Sequence, residues 1–178
     1  MHTRLVTARE FAAADALAGN HPAAGLLTLP TLREQVKPDH DGPSMLTLSA
    51  NQKELLHRPF DLHGPVQIVV VAGCHFAADA ARDIHADPAL DRIFTRHALW
   101  LGSQSENIDD VRQWNRDHPS QSMNIAWRDS EWQMLDSWAM PTFYLFRNGR
   151  LVTPFGGWAR ETGTQQLRAA LRQAGLLD

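Results

Sequence analysis

One stretch limits what this chain can fold into: Val66 to Ala81, VQIVVVAGCHFAADAA, where an apolar run stops at a glycine and a cysteine and a helical pattern begins. An apolar run rich in β-branched residues and bounded by Pro65 and Gly73 reads as a strand buried on both faces, as at the centre of a mostly parallel sheet. Phe76, Ala80 and Ile84 then recur every fourth residue with Ala77 and Ala81 beside them, so the strand passes straight into an amphipathic helix. Cys74 therefore sits at the carboxyl end of a strand and the amino end of a helix. Unpaired N–H groups and the positive end of the helix dipole favour an anion there, and thiolate is the reactive form of a thiol. Cys74 is also the only cysteine in 178 residues, and a solitary cysteine commonly packs as a small hydrophobe. This stretch alone leaves both roles open.

One cysteine excludes an internal disulfide. That fits a reducing, cytoplasmic compartment, with the periplasm as the alternative if a signal peptide has been removed. A net charge of −3 without any Lys/Arg cluster argues against a nucleic-acid partner. The longest apolar run is too short for a membrane span. The nine histidines show no two-ligand spacing on one helix face, so no metal is expected. Gly156-Gly157 does not form a phosphate loop, and Asp109-Asp110 and Asp129 read as helix-start charges and caps. All six tryptophans, Trp100, Trp114, Trp127, Trp132, Trp138 and Trp158, lie in the second half, mostly as core anchors.

Residues 1–60 read as a mainly helical N-terminal extension packed on a domain of residues 61–178. Thr7 and Glu10 form a capping-box pattern before Phe11, Ala14 and Leu17, with Gly19 as the stop. Thr31 and Glu34 repeat the pattern for a shorter helix that Pro38 ends. Asp39 to Ser44 is a turn, Met45 to Leu48 a short strand, and Asn51 caps a helical turn carrying Leu55 and Leu56. After the central strand and its helix, Pro88 starts a second helix and Ala98 to Leu101 is a buried strand. Ile108, Val111 and Trp114 mark a helix ending before Pro119, Met123 to Trp127 a strand, and Ser130 the cap of a helix through Trp138. Thr142–Phe146 and Leu151–Phe155 flank Asn148-Gly149, a strong hairpin signal. A helix from about Thr164 to Ala174 stops at Gly175. The order implies an α/β fold, a three-layer α/β/α sandwich with a central mixed sheet.

This order, with Cys74 after the first central strand and Met140-Pro141-Thr142 opening the hairpin, resembles the thioredoxin superfamily. The stretch AMPTFYLFRNGRLVTPFGGW is similar to that family's proline-to-glycine segment. The extra helix and strand after Leu101 look like the insertion of its peroxiredoxin- and TlpA-like branch. The resemblance covers residues 60 to 175. It implies that Cys74 is the nucleophilic cysteine of a Cys-x-x-Cys motif and that Pro141 is a cis-proline lying against it. It also implies that Gly73, Phe76 and the Met140 backbone help bind an extended peptide.

The departures define the chemistry to expect. The motif reads Cys74-His75-Phe76-Ala77, so the resolving cysteine is an alanine and release of a mixed disulfide needs an outside thiol, with glutathione as a co-substrate. Gly73 replaces the usual tryptophan, and Ile68-Val69-Val70-Val71 lacks the family's buried acid. The sequence reading is a monothiol thiol–disulfide oxidoreductase relative acting through Cys74 on a protein or peptide thiol or disulfide, with His75 positioned to stabilise the thiolate. An iron–sulfur role, suggested by the likeness of Cys-His-Phe-Ala to Cys-Gly-Phe-Ser, and one-cysteine peroxidase chemistry, for which Ala72-Gly73 supplies no peroxide-binding hydroxyl, are the weaker readings. The competing class is a redox-inactive module that holds a partner beside Pro141.

Overall fold

The computed structural model describes residues 1–26, 28–61, 63 and 67–177. Pro65 and Val66, which bound and begin the expected central strand, lie outside the described residues. Within them the strand is β4 (Ile68–Val71), all four residues fully buried. It pairs in parallel with β5 (Ala98–Gly102) on one side and antiparallel with β7 (Thr142–Arg147) on the other. β6 (Met123–Ala126) adds in parallel to β5, and β8 (Arg150–Gly156) closes that edge through a hairpin with β7. Asn148 and Gly149 both take the positive φ values, 52° and 72°, that such a tight turn requires.

The sheet continues into the N-terminal third, where the sequence reading needs correction. Thr31–Glu34 is a strand, β1, and not a helix. Leu55 and Leu56 lie in β3 (Glu54–Pro59), not in a helical turn. With β2 (Ser44–Leu48) these strands extend one eight-stranded mixed sheet in the order β1-β3-β2-β6-β5-β4-β7-β8. The Asn51 carboxamide accepts from the Lys53 N–H and the Ser49 hydroxyl, so it shapes the β2–β3 turn and caps no helix. The residues before β1 are helical, α1 (His2–Thr7) and α2 (Phe11–Asn20). They are separated at Arg9, whose φ of 65° breaks the helix and moves the second start beyond the expected Thr7 cap.

Helices cover one face of the sheet. α3 (His75–Ala86), α4 (Pro88–His97), α5 (Ile108–Asp117) and α6 (Gly163–Ala174) place Ala77, Ile84, Phe94, Trp114 and Leu167 in one cluster with Ile68, Val70 and Trp100. Val69 and Val71 point to the other face and join Leu101, Tyr144 and Phe146 under Phe60, Trp132 and Leu135. The expected helix from Ser130 to Trp138, which would have been the third layer, is only a single 3-10 turn, Asp129–Glu131, followed by irregular chain. The charged groups of that turn serve other segments. Asp129 accepts the Gln104 N–H, and Glu131 accepts both the N–H and the hydroxyl of Ser44. No helix among the described residues is long and apolar enough to cross a membrane.

Two polar ties hold the pieces together. The Arg9 guanidinium, stacked over Trp127, donates to the carbonyls of Trp127, Ala126 and Gln104, and so fastens the N-terminal helices to the ends of β5 and β6. Burial lowers the Arg9 pKa to about 10, against the pull of Asp129 and Glu131. At the edge strands, His57 sits between Glu34 at 2.8 Å and the Ser44 hydroxyl at 2.9 Å, stacked 3.8 Å from Trp127. Removing the Arg9 donor leaves three carbonyls short of a partner. Arg9→Ala is expected to cost about 2 kcal/mol, a fall of about 4–8 °C in melting temperature by calorimetry.

Asp87 caps α4 by accepting from the Ala89 and Leu90 N–H groups, and pairs with Arg168 of α6. Burial acts to raise its pKa, but Arg168 and the two N–H groups outweigh it and hold the carboxyl below its ordinary value. A depressed acid adds stability above the unfolded value of about 4 and loses it as pH falls through the folded value. Asp87→Ala is therefore expected to cost about 1 kcal/mol at neutral pH and to flatten the loss of stability below about pH 4. Urea unfolding at several pH values reads both effects, and parallel curves for the two proteins would contradict the assignment.

Candidate functional site

The register of β4 builds the site. Val71 lies opposite Thr142, and the Ala72 N–H continues the ladder to the Leu101 carbonyl. The chain leaving β4 thus emerges beside the chain entering β7, which brings residues 73–76 against 140–141. Gly73 makes the exit turn at φ 141°, a conformation that side-chain-bearing residues rarely adopt. Cys74 follows in extended conformation as the cap residue of α3, half-exposed and unpaired. Its side chain does not cap the helix. The Cys74 thiol instead donates to the Met140 carbonyl, with the sulfur 3.4 Å from the oxygen, across 66 residues of sequence.

Met140-Pro141 is a cis peptide bond. Pro141 lacks an N–H to leave unpaired, while its carbonyl accepts from the Gly157 N–H at 2.8 Å. The Thr142 hydroxyl donates to the Ala139 carbonyl, and the Tyr144 hydroxyl links to Asp136 and to Ser137, so the segment before Pro141 is held from β7 itself. Burial, then the bond to Asp136, pushes the Tyr144 phenol up to about 12.

All six residues singled out from the sequence meet in this corner. Gly73, Cys74, His75 and Phe76 form the β4–α3 junction, and Met140 and Pro141 oppose it. The His75 ring packs on Phe76 at 3.9 Å, while the sulfur's hydrogen bond goes to Met140. Phe76 is 50% exposed and Met140 41% exposed, two of the four large exposed hydrophobic side chains among the described residues. A half-exposed thiol thus has an apolar rim on both sides, an arrangement suited to an apolar group approaching the sulfur.

The sequence reading did not single out Glu106. It lies in the loop between β5 and α5, just ahead of Asn107, whose side chain caps α5. A Cβ at Gly73 would collide with Glu106 Oε2 and come within 3.1 Å of Met140 Sδ. A Cβ at Gly102 would lie 2.8 Å from Glu106 Cγ. Two strand-end glycines therefore clear a slot for one carboxylate beside the cysteine. Burial raises the Glu106 pKa, the Asn107 N–H opposes it, and Asp110 adds to the rise. The available signal was the placement of glycines at two adjacent strand ends, Gly73 and Gly102, with an acid four residues after the second. Among the described residues no group of three or more His, Cys, Asp or Glu side chains is arranged to hold a metal ion.

Both the positive φ and the space at Gly73 resist a side chain. Gly73→Ala is expected to lose about 2 kcal/mol in chemical denaturation. A neutral substitution would show that neither the turn nor the Glu106 contact is tight. Comparison with protein-family models, curated proteins and solved structures finds no match for this chain.

Proposed function

We propose that this chain is a thioredoxin-like protein of the peroxiredoxin- and TlpA-like branch, acting as a monothiol in thiol–disulfide exchange through Cys74. The observation that carries the reading is the Cys74 sulfur, half-exposed at a helix start and within hydrogen-bonding reach of the residue before Pro141. Supporting it are the β4–α3–β5 unit, the β7–β8 hairpin after Pro141, and the helix α5 and strand β6 in the place of the branch's insertion. Against a close likeness stand the non-helical cover over Val69 and Val71 and the three strands added by the N-terminal third.

In this reading Cys74 gives up its proton and the thiolate attacks one sulfur of a partner disulfide. The Cys74–partner S–S bond forms as the partner's own S–S bond breaks, and the departing thiolate takes a proton. Phe76 and Met140 hold the partner's apolar flank. Ala77 stands where a resolving thiol would act and is buried, so the mixed disulfide is released by an external thiol such as glutathione. Protein and peptide disulfides fit the open rim. The exposed Phe76 and Met140 also favour the second reading, a redox-inactive module that holds a partner through the same rim.

Incubation with oxidised glutathione followed by intact-mass measurement separates the two. The wild type is expected to gain one glutathione that reduced glutathione removes, and Cys74→Ser none. A wild-type chain that stays unmodified while native would sink the exchange reading and leave the binding module.

A further inference from the structure

Two polar groups in one cleft stand without partners. The cleft, about 190 Å³ in volume, lies where α1 meets the loop from β5 to α5, and His2, Val6, Leu26, Ser105, Glu106 and Ile108 are among the residues that line it. His2 is 7% exposed, and its Nε2 is buried with no hydrogen-bond partner. Glu106 is the second group. Its carboxylate takes no hydrogen bond from any side chain among the described residues. The side chain is nevertheless held in place by backbone: a Cβ at Gly102 would lie 2.8 Å from its Cγ, and one at Gly73 would collide with its Oε2. Buried polar groups are almost always satisfied in native proteins, so two unmet acceptors sharing a cleft mark a place for a donor from outside the chain.

Charge selects a cation as that donor. Asp109 also lines the cleft but is paired with Arg112, and Arg9 gives its N–H groups to the carbonyls of Trp127, Ala126 and Gln104. Of the two acids in the lining, Glu106 alone has no counter-ion among the described residues. The start of α5 borders the same cleft, and its positive end would favour an anion. That end is already answered, because the Asn107 side chain accepts the Asp109 N–H and Asp109 and Asp110 occupy the first turn. Burial raises the Glu106 pKa, the Asn107 N–H opposes it, and Asp110 adds to the rise. A cation beside the carboxylate acts against both causes of that rise.

Size and walls narrow the class. The cleft is smaller than the about 300 Å³ at which pockets begin to hold drug-sized ligands, so it suits a group the size of a side chain. Val6, Leu26 and Ile108 give it apolar walls. A guanidinium is planar and weakly hydrated, tolerates such walls, and meets a carboxylate with two parallel N–H groups while others stay free for an imidazole nitrogen. An ammonium is a compact charge that keeps its water. We propose that this cleft binds an alkylguanidinium group, with Glu106 as its counter-ion and His2 Nε2 as a further acceptor. Free arginine and the arginine side chain of a peptide both carry that group. The site does not depend on the reading of Cys74 as an exchanging thiol.

The test is a titration of ethylguanidinium chloride into the full chain at constant ionic strength, followed by the backbone amide NMR shifts around the cleft. The wild type is expected to bind with a Kd of about 1–10 mM, as suits so small a ligand. Ethylammonium is expected to bind at least about fivefold more weakly. Glu106→Gln is expected to weaken ethylguanidinium about tenfold or more, and Glu161→Gln, which removes an exposed acid outside the cleft, less than about twofold. No saturable shift, equal affinity for ethylammonium, or equal effects of the two substitutions overturns the proposal. Free L-arginine and the blocked N-acetylarginine methylamide then separate the sources: the tighter of the two names a metabolite or a peptide side chain, and refusal of both overturns the proposal. Should Glu106→Gln fail to fold, the ¹³C titration of the Glu106 carboxyl in the wild type decides. Ethylguanidinium is expected to move that titration to lower pH, and identical curves with and without it overturn the proposal.

Discussion

The structure depends on a four-residue strand. Ile68–Val71 is buried on both faces because helices α3–α6 press on Ile68 and Val70 while Trp132, Leu135 and Phe60 press on Val69 and Val71. Apolar burial on two sides, at about 25 cal/mol for each Å² removed from water, holds this strand at the centre of the sheet, and the ladders to β5 and β7 set its register. Its two partners run in opposite senses, β5 parallel and β7 antiparallel. One end of β4 is thereby set beside the exit of β5 and the entrance of β7, and Gly73, Cys74 and Met140 meet at that end.

What gathers there follows from backbone more than from side-chain attraction. Gly73 takes a φ closed to most residues and lacks a Cβ, and both properties are used: the first turns the chain into α3, the second admits Glu106. Pro141 contributes by having no N–H, and Thr142 and Tyr144 tie down the segment before it. The Cys74 thiol makes one weak hydrogen bond, to the Met140 carbonyl, and accepts none from the helix, so its position is dictated by its neighbours. A thiol held by its surroundings and not by its own bonds is free to change partners, which is the property the proposed chemistry requires.

The first third shows how pairing overrides local signals. Thr31-Leu32-Arg33-Glu34 carries a helix-start pattern, yet β1 exists because it lies parallel to β3 in register from Thr31–Glu54 to Glu34–His57. Glu34 accepts from His57 on that neighbouring strand and from the Val36 N–H just beyond it, while the Thr31 N–H, which a capping box would give to Glu34, donates to the Lys53 carbonyl. The Ser130 region behaves alike: Asp129 and Glu131 look like first-turn acids, but Gln104 and Ser44 claim them from 25 and 87 residues away. Capping boxes compete with any other donor the fold supplies, and a local pattern cannot announce that competitor.

The sequence by itself determined the local elements whose signal is contained within one segment: the β-branched run to Val71, the alanine-rich face of α3, the Asn148-Gly149 turn and the Gly175 stop. In each, the deciding physics is short-range, a φ preference or a periodic apolar face. The tertiary structure decided the rest. It recruited residues 31–59 into the sheet, left the face over Val69 and Val71 covered by irregular chain, and placed Glu106 against Gly73. Those outcomes turn on contacts between residues far apart in sequence, where strand register and the absence of two Cβ atoms settle which groups meet.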